Sequence, residues 1–394
     1  MFIRGFKKTV SLFLVSFFIV HSSVAARAGE VDAGAPDLTS PSVVLMEAST
    51  GQVLYEKESH TKLPPASITK IMTILLIYEN QKAGKFKWDD MVTVSEHASS
   101  MGGSQVFLEP NEQQKASELT KCIVIASAND AAVSMAEFIG GSEEGFVKMM
   151  NERAQQLGMS DTVFVNACGL DTDGHVSSAN DVALMSRALI TEFPEVREYT
   201  TTWMDTITHK TRKGETEFGL TNTNKLIKWY NGATGLKTGS TGLAKYCLSA
   251  TAERDGMELI AVIMAAPDNK ARFQEAMKLL DYGFGNYEVK KLCDEGSDCG
   301  EIHVLKGNID CVPVKTAQDV SALLKKGSQV DITEQKQVYE SLKAPFDTGE
   351  KAGEIIFVDT DGNEVGRTDI VAAQGAEKAG INDNFNKVLK KWIA

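Results

Sequence analysis

The sequence predicts an α/β (α+β) fold in which one antiparallel sheet is flanked by helices and followed by a small all-β domain. Strand-like runs occupy residues 42–56 and 235–266, and patterns typical of helices fill the segment between them. Strands that open and close a segment can pair into one antiparallel sheet, with the intervening helices on its faces. Short strand candidates separated by Gly, Asp and Lys then occupy residues 288–377, which predicts the second, β-rich domain.

The opening of the first domain combines a hairpin with a buried helix. Residues 42–56 read SVVLMEASTGQVLYE, in which two β-rich runs surround Ser49-Thr50-Gly51, a turn typical of hairpins. After Pro64-Pro65, residues 67–78 read SITKIMTILLIY and are apolar on nearly all sides, which predicts a buried helix. Further helices are predicted at roughly 117–140, 144–157 and 179–191.

The first domain closes with a second hairpin and a helix. The strand-like runs KYCLSATAE and MELIAVIMAA are separated by Arg254-Asp255-Gly256. Residues 269–282 follow with apolar side chains at helical spacing, which predicts a helix. We therefore assign residues 35–286 to the first domain and residues 288–377 to the second.

Composition and charge exclude several classes of function. The chain has 394 residues, of which 43% are hydrophobic and 24% charged, as expected for a globular protein with a sizeable core. Its formal net charge of -12 argues against a nucleic-acid partner, because phosphate binding needs clustered Lys and Arg. The motifs C-x-x-C, H-E-x-x-H, G-x-G-x-x-G and G-x-x-x-x-G-K-[ST] are all absent. We therefore expect neither a metal nor a cofactor.

The six cysteines leave the disulfide pattern open. Cys122, Cys168 and Cys247 lie in apolar or motif-rich stretches, where cysteine usually acts as a small buried hydrophobic residue. Cys293 and Cys299 lie close together in the polar C-terminal third, so a bridge between them is one alternative. Pairing cannot be deduced from the sequence alone.

The N-terminal 28 residues are typical of a cleaved secretory signal peptide. Arg4, Lys7 and Lys8 form a basic region, and residues 9–20 form an apolar run too short for a typical transmembrane helix. Ala26-Arg27-Ala28 then provides an A-x-A cleavage site. We expect export to the outer face of the cytoplasmic membrane, and the alternative is an uncleaved N-terminal anchor.

The first catalytic candidate is the S-x-x-K motif formed by Ser67 and Lys70. Residues three apart share one face of a helix, so the Ser67 hydroxyl and the Lys70 amine can meet if a helix begins near Ser67. Pro64-Pro65 just upstream supports such a start. The alternative is a helix-capping serine beside a solvated lysine, but the apolar flanks of Lys70 predict that this lysine points inward.

A lysine that acts as a general base must lose its proton near neutral pH. The ordinary pKa of lysine is about 10.4, so this requires a shift of about 3 units, or about 4 kcal/mol. Burial and a second nearby cation both lower a lysine pKa, and Lys237 could be that cation.

Two further motifs follow along the chain. Ser127 and Asn129, in S-x-N, can face one point only at a turn between helices, where Ser127 could relay a proton and Asn129 could hold a substrate amide. The alternative is an ordinary polar break between helices. Lys237-Thr238-Gly239 is predicted on an edge strand that lines a cleft. Lys237 would then face a substrate carboxylate, Thr238 would hydrogen-bond to it, and Gly239 would let the substrate backbone approach closely.

In this order, S-x-x-K, S-x-N and K-T-G resemble the motifs of the penicillin-recognising serine enzymes, the β-lactamases and penicillin-binding proteins. Residues 35–286 are similar to the low-molecular-mass D-alanyl-D-alanine carboxypeptidases of peptidase family S11. The similarity is carried by PPASITKIMT, IASANDAAVSMAE, GMSDTVFVNACGL, TNTNKLI, ATGLKTGSTGLAKYCLSATA and ARFQEAMKLLDYGF. Residues 288–377 resemble the β-rich second domain of those enzymes.

The resemblance implies the removal of the terminal D-alanine from peptidoglycan stem peptides and covalent binding of β-lactam antibiotics. It implies that Ser67 is acylated, that Lys70 accepts its proton, and that Ser127 carries the proton onward. The substrate-binding residues it implies are Asn129, Lys237, Thr238, Gly239 and Ser240. Three departures from the usual family pattern, at Ala128, at Ala167-Cys168 and at Ser240, are expected to tune deacylation and substrate preference.

Three rival functions can be weighed on the same residues. A class A-like β-lactamase needs a Glu about 35 residues after Asn129, where this chain reads SDTVFVNACG without a Glu. A non-catalytic penicillin sensor or cell-wall binder would have no need of an activated nucleophile, so the intact Ser67 and Lys70 argue against it. A transpeptidase differs only in the acceptor, and chain length and the S11-like segments favour hydrolysis.

The C-terminal residues 380–394 predict an amphipathic helix. Lys387, Lys390 and Lys391 lie off the apolar stripe of this segment. Such a helix can lie in a membrane interface, and the alternative is a helix docked on the β-rich domain. The stripe consists of Ile381, Phe385, Val388, Leu389, Trp392 and Ile393.

Overall fold

The computed structural model describes residues 36–212, 214–328 and 330–381, together with Gly34 and Asp383. The predicted signal peptide lies outside the described residues, as does nearly all of the predicted C-terminal helix. Among the described residues, no helix is both long and apolar enough to cross a membrane.

The first part of the chain alternates short strands with helices. Its elements are β1 (Ser42–Glu47), β2 (Val53–Lys57), a 3-10 turn (Ala66–Thr69), α1 (Lys70–Lys82), β3 (Met91–Thr93), α2 (Glu96–Ser99), β4 (Gln113–Lys115), α3 (Ala116–Ile125), α4 (Asn129–Gly140), α5 (Glu143–Gln156), α6 (Ala179–Glu192), a 3-10 turn (Pro194–Val196) and α7 (Arg197–Thr200). It continues with β5 (Met204–Thr211), β6 (Gly214–Thr221), α8 (Leu226–Trp229), β7 (Ala233–Thr241), β8 (Lys245–Arg254), β9 (Met257–Ala266) and α9 (Asn269–Asn286).

One five-stranded antiparallel sheet organises these elements, in the order β2-β1-β9-β8-β7. The opening strand β1 pairs with the closing strand β9, with Val44 opposite Val262. The predicted fold, in which the first and last strands meet in one sheet, is confirmed. Because β7 is an edge strand, its free side faces the 3-10 turn that contains Ser67.

Helices cover both faces of the sheet. On one face, α1 lies in a core with α3, α4 and α6, and every residue from Lys70 to Tyr78 is buried. On the other face, α9 packs Phe273, Leu279 and Leu280 against the sheet. The all-round burial of α1 agrees with its apolar sequence, because a helix inside a core has no polar face.

Two features differ from the sequence prediction. The helical pattern at 117–140 is divided into α3 and α4 by a break at residues 126–128, which is where the S-x-N motif lies. The hairpin of β5 and β6 was not predicted. Its sequence is largely polar, and of its hydrophobic side chains only Ile207 and Leu220 are buried, so alternation of apolar residues is hard to see.

From residue 287 to residue 372 the described chain consists of strands and the turns between them. Its strands are β10 (Tyr287–Cys293), β11 (Asp298–Leu305), β12 (Cys311–Thr316), β13 (Val320–Lys325), β14 (Thr333–Val338), β15 (Ser341–Lys343), β16 (Lys351–Val358) and β17 (Glu364–Ala372). Six of them form a sheet in the order β14-β16-β17-β12-β11-β15, and β10 pairs with β13. The predicted all-β domain is therefore confirmed. It contacts α9 through Lys326, whose Nζ donates to the Phe284 carbonyl at 2.7 Å.

All six cysteines of the chain lie in the described residues and are unpaired.

Candidate active site

Ser67 lies in the 3-10 turn that leads into α1. Side chains three residues apart are eclipsed in a 3-10 helix, so Ser67 and Lys70 point in the same direction. Lys70 Nζ donates to Ser67 Oγ at 3.0 Å. The sequence predicted this meeting from a helix that begins near Ser67, and the structure achieves it with a 3-10 turn whose first residue, Ala66, has a φ of 48°.

Lys70 is completely buried and surrounded by oxygen atoms. Besides Ser67 Oγ, its Nζ donates to Asn129 Oδ1 at 2.5 Å and to the Cys168 carbonyl at 2.7 Å. Burial lowers the pKa of Lys70 to about 8, and electrostatic interactions with Cys168 and Asp130 act in the opposite direction. The inward position that the apolar flanks of Lys70 predicted is therefore what the structure shows.

The S-x-N motif forms the turn between α3 and α4. Ser127 has a φ of 60°, and Ala128 is extended, so the chain turns here and places Asn129 beside Lys70 at the start of α4. Ser127 Oγ is buried and has no hydrogen-bond partner. Asn129 is already engaged at both ends, because its Nδ2 also donates to the Gly102 carbonyl at 2.6 Å. Its contact with Lys70 was not predicted, since the sequence suggested only a bond to the substrate.

The K-T-G motif lies on the edge strand β7, as predicted. Lys237 is buried, and its Nζ donates to the Thr238 carbonyl at 3.2 Å. The pKa of Lys237 is well below its usual value, first because of burial and then because of the nearby charges of Lys70 and Arg272. Thr238 Oγ1 donates to Thr223 Oγ1 at 2.7 Å, and Ser240 is exposed at the next step along the strand.

Gly239 lies where β7 meets the turn that carries Ser67. A Cβ at this position would lie 2.9 Å from the Pro65 carbonyl oxygen and 3.0 Å from the Ile68 nitrogen. Cβ atoms rarely lie this close to backbone atoms, so glycine allows β7 to lie directly against the turn that carries Ser67. The approach of the substrate backbone to Gly239 remains a prediction.

Arg272, on α9, is a site residue that sequence reasoning missed. It is buried, and its Nη1 donates to the carbonyls of Gly239 at 3.0 Å and Cys247 at 3.3 Å. Its Nε is buried without a hydrogen-bond partner. An Arg within the helix ARFQEAMKLL is unremarkable in sequence, and only the packing of α9 against β8 and β9 brings its side chain to β7 and close to Lys237.

The segment between α5 and α6 supplies the Cys168 carbonyl to Lys70. Gly169 has a φ of 85°, and a Cβ there would lie 1.9 Å from the Ala66 carbonyl oxygen.

His175 holds the same loop through both of its ring nitrogens. Its Nδ1 accepts a hydrogen bond from the Val165 N–H at 3.0 Å, which places the proton on Nε2, opposite Thr69 Oγ1 at 2.8 Å. Burial lowers the pKa of His175 to about 4. This loop is therefore fixed directly against the S-x-x-K turn.

Together these contacts place a serine hydroxyl beside a buried lysine amine, with a second buried lysine on the adjacent edge strand β7 and a buried arginine that reaches this strand from α9. This arrangement, on a five-stranded sheet flanked by helices, defines the class of penicillin-recognising serine enzymes. No group of three or more His, Cys, Asp or Glu side chains capable of holding a metal ion occurs among the described residues.

Comparisons with known proteins identify the family. Residues 30–268 match the family model described as D-alanyl-D-alanine carboxypeptidase. Residues 287–378 match the model described as Penicillin-binding protein 5, C-terminal domain. The chain belongs to the D-alanyl-D-alanine carboxypeptidase family, whose members are serine hydrolases. The predicted family and enzyme class are thereby confirmed.

Individual relatives agree over nearly the whole chain. The chain is 40% identical to D-alanyl-D-alanine carboxypeptidase DacF of Bacillus subtilis (strain 168), across 98% of this chain and 99% of the relative. It is 34% identical to D-alanyl-D-alanine carboxypeptidase DacA of Escherichia coli (strain K12), across 90% and 87% of the two chains. Among solved structures, penicillin binding protein 5 from Haemophilus influenzae superposes with a TM-score of 0.71 at 30% identity, covering 87% of this chain and 99% of that one.

Proposed function

We propose that this enzyme removes the terminal D-alanine from peptidoglycan stem peptides through an acyl-enzyme on Ser67, and that penicillin acylates the same atom. The observation that carries the proposal is the contact between Ser67 Oγ and Lys70 Nζ at 3.0 Å, made by a lysine whose pKa burial lowers to about 8. Membership in the carboxypeptidase family agrees with this chemistry. The predicted division into residues 35–286 and 288–377 remains part of the proposal.

In the acylation step, neutral Lys70 accepts the proton of Ser67 as Oγ attacks the carbonyl between the two D-alanines. A bond forms between Oγ and the carbonyl carbon, and the bond to the leaving amine then breaks. The leaving amine needs a proton, which Ser127 can relay from Lys70. The buried and unpartnered Oγ of Ser127 supports this role, because such a hydroxyl is free to exchange hydrogen bonds during the reaction.

The terminal carboxylate of the substrate would bind beside β7. Lys237 and Thr238 are the predicted partners, and the position of Arg272 adds a third. A guanidinium stays protonated throughout the working pH range, whereas a buried lysine readily loses its proton. A carboxylate placed here would restore a favourable partner to Lys237, whose pKa is otherwise lowered by burial and by two neighbouring cations. The site would thus select substrates with a free C-terminus.

Covalent labelling tests the proposal. After incubation with a penicillin, mass spectrometry should show one adduct per chain on the peptide that contains Ser67. The Ser67→Ala variant should show none, and Ser127→Ala should label slowly but at the same place. An adduct on Ser127, or labelling that survives Ser67→Ala, contradicts the assignment.

We further propose that the enzyme is exported and that residues 380–394 bind it to the membrane surface. The apolar stripe of this segment would enter the interface, while Lys387, Lys390 and Lys391 would meet anionic head groups. Ile381, the one stripe residue that the structure describes, is 90% exposed, which supports an unburied stripe over a helix docked on the β-rich domain.

Vesicle binding tests the anchor. The mature chain should sediment with anionic vesicles, and a chain that ends at residue 379 should not. A matched variant with the three lysines changed to Gln should bind less at low salt, yet keep the apolar part of the binding at high salt. If the full and truncated chains sediment alike, or if neither does, the segment is not an anchor.

A further inference from the structure

Asn166 lies at the centre of the loop that faces the catalytic lysine, and the residue has no role in the proposed reaction. Its Oδ1 accepts hydrogen bonds from three successive backbone N–H groups, those of Gly169 at 2.6 Å and of Cys168 and Leu170 at 3.2 Å each. Its Nδ2 donates to the Leu170 carbonyl at 2.9 Å. One side chain thus satisfies backbone groups that regular secondary structure would otherwise pair.

This arrangement fixes the direction of one backbone carbonyl, that of Cys168. The peptide units of residues 168–170 turn their N–H groups toward Asn166, and the Cys168 carbonyl accepts from Lys70 Nζ at 2.7 Å. The same loop is also held from outside, because Thr73 Oγ1 donates to the Ala167 carbonyl at 2.6 Å. The Cys168 carbonyl cannot rotate away from Lys70 unless the loop unwinds around Asn166.

This carbonyl decides where the lone pair of Lys70 points. A neutral amine has two N–H bonds and one lone pair in a roughly tetrahedral arrangement, and Lys70 Nζ has three oxygen neighbours. If Asn129 Oδ1 and the Cys168 carbonyl accept the two hydrogens, the lone pair is left for Ser67 Oγ. A general base must present its lone pair to the proton it removes, so the two acceptors turn a nearby amine into a directed base.

We infer that Asn166 is a positioning residue for the base, which acts by fixing the Cys168 carbonyl as the acceptor that aims the lone pair of Lys70 at Ser67. The inference rests on the proposed roles of Ser67 and Lys70. It concerns a backbone group, so the chemical identity of the Cys168 side chain is not part of it.

Two substitutions separate positioning from simple stability. Asn166→Ala removes the acceptor for all three N–H groups, so the carbonyl is free to turn. Asn166→Asp keeps an oxygen in the place of Oδ1, replaces the Nδ2 donor to the Leu170 carbonyl by a second oxygen, and adds a negative charge to the loop. As a control, Asn80→Ala removes a buried amide of the same type, whose Nδ2 bonds the Leu76 carbonyl at the far end of α1.

The measurement is the second-order rate of acylation by a fluorescent penicillin as a function of pH, with thermal stability recorded for each variant. Asn166→Ala should lower the plateau rate about 10- to 100-fold, as expected when a reacting group is misplaced by about 1 Å. It should also shift the acid limb to lower pH, because an ammonium that loses an acceptor gives up its proton more easily.

Asn166→Asp should keep a plateau within a few-fold of the unchanged enzyme and shift the acid limb to higher pH, because the new charge favours the ammonium. The other charged groups that act on this cluster are the same in every variant: Asp130, Lys237 and Glu143, whose Oε1 accepts from the Ala167 N–H at 2.9 Å. Asn80→Ala should lose thermal stability and leave both the plateau and the limb unchanged.

Opposite shifts of the limb in the two Asn166 variants cannot arise from a loss of stability alone. The inference is wrong if Asn166→Ala is acylated with the plateau rate and acid limb of the unchanged enzyme. It is also wrong if folded Asn166→Asp shows the about 10- to 100-fold lower plateau rate expected for a misplaced base. If Asn166→Ala does not fold, the Asn166→Asp profile alone decides. Failure of the underlying mechanism would look different, because acylation of the unchanged enzyme would then not depend on Lys70.

Discussion

The pH dependence of acylation follows from the burial of Lys70. Its pKa is lowered from 10.5 to about 8 by burial, which corresponds to about 3 kcal/mol against the charged form. The neutral amine is the form that can accept the Ser67 proton. About a tenth of the lysine is neutral at pH 7, compared with about 0.03% for a lysine of ordinary pKa, so burial increases the active fraction about 300-fold.

The rate of acylation by penicillin should therefore rise about tenfold per pH unit up to a pH of about 8 and then level off. At pH 6 it should be about 100-fold below the plateau. The sign is fixed by the direction of the shift, because protonation removes the base. The assay is stopped-flow acylation between about pH 5.5 and 9.5, with folding checked at each pH by circular dichroism.

Two variants serve as controls for this profile. Lys70→Arg keeps the positive charge but cannot accept a proton, so acylation should be lost at every pH in the range. Lys270→Arg changes an exposed lysine at the start of α9 and should leave the profile unchanged. A rate that does not change between pH 6 and 8, or near-normal acylation by Lys70→Arg, would refute the role of Lys70 as the base.

Two other predictions concern the residues around this pair. Lys237→Ala should slow the hydrolysis of a free-acid D-Ala-D-Ala peptide about 10- to 150-fold, which is the range of a charge-assisted contact. It should slow the hydrolysis of the same peptide with an amidated C-terminus much less. Equal losses of rate on both peptides would mean that Lys237 acts on the chemistry of Ser67 instead. Gly169→Ala should lower the melting temperature and abolish acylation, because its Cβ would lie 1.9 Å from the Ala66 carbonyl oxygen. Gly174 is the control, because it has a φ of 81° and a Cβ there would meet no atom within 4 Å. Gly174→Ala should lose only roughly 1–2 kcal/mol of stability, the cost of a left-handed backbone for a residue with a Cβ. Equal effects of Gly169→Ala and Gly174→Ala would contradict the clash.

The parts of the fold that the sequence predicted are those with a strong local pattern. The two hairpins around Gly51 and Gly256 combine β-rich runs with a turn, and α1 is apolar on all sides. The hairpin of β5 and β6 lacks such a pattern, because most of its side chains face solvent. A polar hairpin can be recognised from its pairing but hardly from its composition.

In the candidate site, too, some groups could be predicted from the sequence and others could not. Side chains with a motif, such as Ser67 and Lys70, could be named from spacing alone, since the chemistry depends on which residues are three apart. The Cys168 carbonyl could not, because every residue carries a carbonyl and only the fold directs one of them at Lys70. Arg272 was missed for a related reason, since its side chain reaches β7 only because α9 packs against β8 and β9.

The most direct test of the account follows a D-Ala-D-Ala peptide through one turnover. Acid quenching of the enzyme on the millisecond-to-second scale, followed by mass spectrometry, should trap a species heavier by the mass of the peptide minus the mass of one free D-alanine, with the added mass on Ser67. Released D-alanine should appear with this species, and Ser67→Ala should form neither. Release of D-alanine without an adduct on Ser67, or an adduct from which no D-alanine has left, would contradict a serine carboxypeptidase that works through Ser67.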